Sequence, residues 1–394
     1  MNRLFASGPV AMMLASLALS PLAAAQVQVG VVEEHAAAAE AFGREMTRVL
    51  NEGDAGALAD LFDAKTLARR AAARATEDPK ARESYERDVV EVGVPKMIAD
   101  QFMILEKSKG RAVFLRATRT HPARPLIRLD LKDLGFDYLE FLIARGADGR
   151  YRAIDCFTLS TGELVSATMG GIGRLFIEPE AGFLERLLGT KVGPSKALAA
   201  KLRLAGELQR ASKFAEAADV LRDLPDEIAN SRHVLLARAR LEGISGEHEE
   251  YSRSLAQLAA RYPDDPSLAF VLLDHYFSRK ETDKAIQSIE TMEKRIGVDG
   301  ITSAMKSIAY SNTGRHGDAL KFAQEALRLE PQLADAHFAI VDALVGLGNY
   351  AEAVRECRTL EKDFGYTFSR EGFAAAPQYA GFMQSAAFNA WLPK

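Results

Sequence analysis

The sequence predicts a multidomain protein: an α+β domain, helices first and then an antiparallel sheet, followed by an all-α solenoid of five helical hairpins with a capping helix. Three observations carry this. A short apolar leader opens the chain, the region after it changes from helical to strand-like periodicity, and the C-terminal half repeats with a period of 34 residues. At 394 residues, 48% hydrophobic and 26% charged, the composition is globular and the length suits more than one core.

The leader reads as a signal peptide over residues 1–25. Arg3 supplies the positive start, Val10 to Leu19 the apolar run, and Ala23-Ala24-Ala25 a small-residue cleavage site, so the mature chain would begin at Gln26. Ser16, Ser20 and Pro21 interrupt the run, which is short for a bilayer span; no membrane span is expected after cleavage. The formal net charge of −4 gives no basic field for nucleic acid. Cys156 and Cys357 are the only cysteines and lie far apart, so no disulfide framework is expected. An exported chain of this kind suits the bacterial envelope, as a periplasmic or secreted protein.

Residues 26–188 make up the α+β domain. Ala41, Met46 and Leu50 recur on one helical face; Asn51 to Asp54 is a turn and cap; Leu58, Leu61 and Phe62 form a second stripe; Val89, Val90, Val94, Ile98, Phe102 and Leu105 a longer one. Four β-rich runs follow: Ala112 to Thr120, Leu126 to Leu131, Tyr138 to Ala144 and Tyr151 to Leu159, the last two separated by the turn Gly146-Ala147-Asp148-Gly149. Residues 189–197, with Gly189, Gly193 and Pro194, read as a linker, and this boundary predicts two independently folded halves.

The repeats occupy residues 198–367. Ala217, Tyr251, Ala285, Ala319 and Ala353 stand 34 apart, and five positions before each come Ser212, Gly246, Lys280, Gly314 and Gly348, where a helix–turn–helix needs left-handed backbone. Twelve positions after the anchors, Pro263, Gly297, Pro331 and Gly365 close four of the five units. Pro225 cuts the first unit's second helix short. Residues 368–394 carry Tyr379, Phe382, Met383 and Ala386 at helical spacing after Pro377, and read as a capping helix over the solenoid's end.

Gly348-Asn349-Tyr350-Ala351-Glu352-Ala353-Val354, the unit from Gly314 to Pro331, and the aromatic positions Tyr276 and Tyr310 resemble the tetratricopeptide repeat family. That resemblance implies a scaffold that binds a protein or peptide on the inner face of its first helices. Carried onto this sequence, the face comprises Arg240, Phe270, Asp274, Phe277, Met305, Ile308, Asn312, Phe338 and Asp342. It suits an apolar or mildly basic segment; the alternative is that these side chains pack against the C-terminal helix or neighbouring repeats. Residues 35–165, through the string Gly53 to Phe62 with Tyr138-Leu139-Glu140-Phe141 and Tyr151 to Asp155, resemble the cone-shaped nuclear transport factor two superfamily. Its members include enzymes, which implies the alternative of small-molecule binding or hydro-lyase-like chemistry in a pocket of His121, Tyr138 and Asp155.

No catalytic motif is complete, and neither an enzyme activity nor a cofactor or metal is expected. Thr168-Met169-Gly170-Gly171-Ile172-Gly173 lacks the third glycine of a dinucleotide fingerprint, since Phe176 stands there, and reads as a flexible or closely packed turn. His248-Glu249 begins a zinc-protease pattern, but Ser252 replaces the second histidine.

Overall fold

A computed structural model describes residues 21–118, 120, 122–131, 135–177 and 196–393. Residues 1–20, most of the expected signal peptide, and residues 189–195, most of the expected linker, lie outside the described residues.

The N-terminal part places helices on one face of a sheet. Helix α1 (Pro21–Glu52) buries Ala39, Phe42, Met46 and Val49 at steps of three and four, with Leu50 beside Val49 and four positions after Met46. Ala41, expected on this face, is exposed, and the larger Phe42 beside it takes the core position. Helices α2 (Ala55–Asp60), α3 (Ala64–Ala75) and α4 (Pro79–Asp88) start on aspartates: Asp54, Asp63 and Asp78 each accept a hydrogen bond from a first-turn backbone N–H. A π-helical turn at Val89–Gly93 joins α4 to α5 (Val94–Lys107), so the long apolar stripe begins in a π-helical turn rather than lying on one regular α-helix.

Strands β1 (Arg111–Ala117), β2 (Pro125–Leu131), β3 (Gly135–Arg145), β4 (Tyr151–Thr158) and β5 (Glu163–Leu164) form an antiparallel meander in sequence order. The edge at β1 is closed locally by Asn51, whose side-chain amide donates to the Ala112 carbonyl at 2.9 Å and accepts from its N–H at 2.7 Å. That satisfies both outward groups as a neighbouring strand would. Ile127, Leu129, Leu139, Phe141, Ile143 and Cys156 turn to the helices and form one core with them.

Helix α6 (Val165–Ile177) contains the glycine-rich string. The expected turn is therefore wrong: these glycines serve helix packing. A Cβ at Gly170 would lie 2.5 Å from the Arg74 Cβ and 2.7 Å from the Ala71 carbonyl, and one at Gly173 would enter the Tyr85 ring. Only hydrogen at both positions lets α6 approach α3 and α4 so closely.

The C-terminal half consists of antiparallel helix pairs. These are α7 (Lys196–Arg210) with α8 (Phe214–Arg222); then, after the single turn α9 (Asp226–Ala229), α10 (Arg232–Ser245) with α11 (His248–Arg261); α12 (Leu273–Ser278, preceded by a 3-10 turn at Pro266–Leu268) with α13 (Thr282–Ile296); α14 (Gly300–Ser311) with α15 (His316–Leu329); and α16 (Ala334–Gly346) with α17 (Tyr350–Phe364). Each inner turn holds its expected left-handed residue: Ser212 at φ 59°, Gly246 at 79°, Lys280 at 57°, Gly314 at 75° and Gly348 at 76°. The anchors Ala217, Ala285, Ala319 and Ala353 are fully buried, which permits close approach of the helices in a pair.

In place of one capping helix, the C-terminal segment folds into α18 (Arg370–Ala374), a 3-10 turn at Pro377–Tyr379, α19 (Ala380–Gln384) and α20 (Ala386–Trp391). Ser385, extended at ψ 151°, breaks the helical run and caps α20 by accepting from the Phe388 N–H. Phe373, Phe382 and Phe388 are buried against Val354, Cys357 and Leu360 of α17, so the segment covers the end of the last pair.

Candidate functional site

Alternation along β2 and β3 assigns two faces. With Ile127, Leu129, Leu139 and Phe141 turned to the helices, Leu126, Arg128, Tyr138 and Glu140 point to the other side. A free sheet would show that side to water. Here Arg128 is 0% exposed, Tyr138 1% and Glu140 4%, because the face lies against the repeats. Leu126, Tyr138, Phe157 and Leu159 share a core with Ala269, Leu273, Ile289, Met292, Ile296, Ile301 and Met305. One of the apolar cores is thus common to both halves.

The centre of this seam is polar. Arg128 donates through Nη1 and Nη2 to the two carboxylate oxygens of Glu330, at 2.8 and 2.7 Å, through Nη1 to Asp299 Oδ2 at 3.1 Å, and through Nε to Asp130 at 2.5 Å. Asp299 has two tasks. Its Oδ1 caps α14 by accepting from the Thr302 N–H at 2.8 Å, while Oδ2 also accepts from the Tyr138 hydroxyl at 2.7 Å. Burial, and then the Asp299 charge, push the Tyr138 phenol well above its usual value, so it remains a proton donor. Burial alone would raise the Glu330 carboxyl, but the hydrogen bonds and charge of Arg128, with the Gly300 N–H, together hold it below the usual carboxylate range.

Further contacts extend the seam both ways. Arg116 donates to the carbonyls of Ile296, at 2.6 Å, and Val298, at 2.9 Å. Arg295 pairs with Glu140 at 2.7 Å and lies 3.4 Å over the Phe157 ring. Phe136 meets Phe270 edge to face at 5.4 Å. Glu163 pairs with Arg232 at 2.9 Å, and a Cβ at Gly162 would lie only 2.4 Å from the Ser267 carbonyl.

The nine expected first-helix positions therefore have different fates. Phe270 lies under Phe136, and Met305 and Phe277 pack in the shared core. Phe338 meets Tyr366 at 4.8 Å and Phe368 at 6.2 Å, and the Tyr379 hydroxyl donates to Asp342, whose carboxyl burial pushes up. These five were expected to line an open groove; the protein's own sheet and C-terminal segment cover them. Arg240, Asp274, Ile308 and Asn312 remain exposed, together with Ile244 and Ser278. They form two columns at the 34-residue period, Arg240/Asp274/Ile308 and Ile244/Ser278/Asn312, on the successive first helices α10, α12 and α14, with Asn312 at the C-terminal cap of α14. Ile244 is 50% exposed and Ile308 41%.

Of the residues expected to form a pocket, His121, Tyr138 and Asp155, the two described ones take separate partners. His121 lies outside the described residues. Tyr138 is committed to Asp299, whereas the fully buried Asp155 accepts from Arg70 at 2.7 Å, from the Ser166 hydroxyl at 2.6 Å and from the N–H groups of Ser166 and Cys156. Four donors on one carboxylate tie α3 and α6 to β4 and leave it no free role in proton transfer. On the helix side of the sheet, Phe42 and Phe62 each pack 6.2 Å from Phe141, so aromatic rings fill that space. Among the described residues, no cluster of histidine, cysteine and carboxylate side chains has the arrangement to hold a metal ion, and no helix is long and apolar enough to cross a membrane.

Residues central to the seam were missed by the sequence reading: Arg128, Asp299, Glu330, Glu140 and Arg295. The available signal was Arg128 within Pro-Leu-Ile-Arg-Leu-Asp-Leu, one of two charges, with Asp130, inside an otherwise apolar strand.

No family model and no curated protein matches the chain. Solved structures similar to it include MamA of strain AMB-1, at 22% identity and TM-score 0.34 over 42% of this chain and 99% of that one. MamA from residue 41 to the end, from Desulfovibrio magneticus RS-1, is similar at 12% identity and TM-score 0.36 over 44% and 99%. PilW, described as a type IV pilus biogenesis factor, is similar at 14% identity and TM-score 0.36 over 50% and 91%.

Proposed function

We propose that this chain is a non-enzymatic scaffold of the bacterial cell envelope that binds a polypeptide partner on the first-helix face of a tetratricopeptide-type solenoid. The observation that carries the reading is the pair of exposed columns on α10, α12 and α14. Two large apolar side chains, Ile244 and Ile308, stand in water beside Arg240, Asp274, Ser278 and Asn312, on the face that stacked helical hairpins offer to ligands. The mixed character fits an extended or helical segment with spaced apolar residues. The leader pattern at residues 1–25 supports the envelope assignment, and the saturated Asp155 disfavours the enzyme alternative.

Site-specific photocrosslinkers placed at Ile244 and at Ile308 in the producing cell test this reading. The same polypeptide captured from both positions, and not from a crosslinker at the distant exposed Val92, is the expected result. No capture at either isoleucine, or equal capture at Val92, refutes the binding face. Fractionation of the cells, with mass spectrometry of the mature N-terminus, tests export; a chain retaining Met1 and found in the cytoplasm refutes it.

A further inference from the structure

The sheet lies on the repeats much as a ligand would. It covers Phe270 with an aromatic ring, offers Arg128 to Asp299 and Glu330, and offers Glu140 to Arg295. Each half also has cores of its own: the sheet with its helices on one side, and the outer helix pairs and C-terminal segment on the other. Among the described residues, only the cluster around Tyr138 and Met305 is shared. Charge pairs across such a seam give specificity, but add little net stability over apolar contact, because each charge gives up water to form them.

We propose that the sheet is a resident occupant of a further binding surface of the repeats, separate from the exposed columns, and that a partner polypeptide replaces it by presenting the same chemistry: an arginine for the Asp299–Glu330 pair and an aromatic side chain for Phe270. The inference rests on the scaffold reading for the identity of the occupant. Acids at the N-terminus of α14 and at the end of α15 make the central pocket of the vacated face anionic, while Phe270 supplies apolar surface beside it. An arginine satisfies both carboxylates through its fork of N–H groups, as Arg128 does; a lysine offers a point charge and does not. The partner is thus a segment bearing arginine and an aromatic residue, and the sheet screens the face from segments lacking them.

The test uses the full chain carrying Phe270→Cys, with the native thiols Cys156 and Cys357, both buried, setting the background of maleimide labelling. Adding Arg128→Met should accelerate labelling at residue 270 about 100-fold, since the closed state then holds two unmatched carboxylates. A synthetic peptide of residues 125–145 should slow labelling again by covering Cys-substituted position 270, and the same peptide with Arg128→Met should not. Arg295→Met provides a milder opening, expected at about tenfold, should Arg128→Met disturb folding; helicity and the fluorescence of Trp391, in the C-terminal segment, monitor this. Unchanged labelling in both variants, loss of helicity together with the seam in both, or equal protection by the two peptides overturns the proposal. Capture at Ile244 and Ile308 with position 270 protected throughout sinks this inference and leaves the scaffold reading standing.

Discussion

Arg128 of β2 and Glu330, the residue that follows α15, meet through two nitrogen–oxygen contacts of 2.8 and 2.7 Å, across 202 positions of sequence. The paired geometry matches a planar guanidinium to a planar carboxylate, and the arginine is completely buried. Removing one member leaves the other desolvated. Arg128→Met is expected to lower the stability of the closed chain by about 3 kcal/mol, read as a fall in the urea midpoint. Arg128→Lys should recover only part of this loss, because an ammonium cannot serve Asp299 and both Glu330 oxygens in one plane.

The same contact has a pH dependence. The folded-state pKa of Glu330 is depressed, so its contribution is present above the unfolded carboxylate value and is lost as pH falls through the folded one. Urea titrations should show the chain weakening below about pH 4.5. The other groups facing Glu330 are Arg128, Asp130, Asp299, Tyr138, Asp335 and Arg111. Glu330→Gln should flatten part of the acid slope while lowering stability near neutrality; an unchanged slope would show that the carboxylate is not the titrating group.

Adjacent glycines in α6 should respond in opposite directions. Gly170→Ala drives a methyl into Arg74 and the Ala71 backbone, and is expected to cost about 2 kcal/mol. Gly171→Ala meets nothing within 4 Å and should stabilise the helix by about 1 kcal/mol. Thermal melts of the two variants, side by side, check the sign of each.

Two of the five inner turns use side chains where glycine is the better fit. Lys280, at φ 57°, and Ser212, at φ 59°, hold left-handed backbone against the cost of a Cβ. Lys280→Gly is expected to raise stability by about 1 kcal/mol despite the added freedom of the unfolded chain, and Gly314→Ala, at φ 75°, to lower it by a similar amount. Equal melting of Lys280→Gly and the parent would show that the turn carries no such strain.

What the sequence determined by itself is local. The 34-residue period placed the helix pairs and their left-handed turns, because each hairpin repeats the same demands for a small anchor and a permissive turn residue. Period-two alternation likewise placed the strands, since one face of the sheet must bury apolar side chains against its helices. Only the tertiary structure decided what covers the other face. Leu126, Arg128 and Asp130 alternate with Ile127, Leu129 and Leu131, and so stand on opposite faces of the strand. Alternation reports which residues share a side, not what lies beyond it. Phe270 and Phe338 show the same limit from the other half, since their first-helix register was legible but the intramolecular contacts that cover them were not. The Arg128 pairings join residues some 170 and 200 positions apart, a separation that no local period encodes. The seam exists because two folded surfaces match in shape and charge, and that match is decided only when both halves are in place.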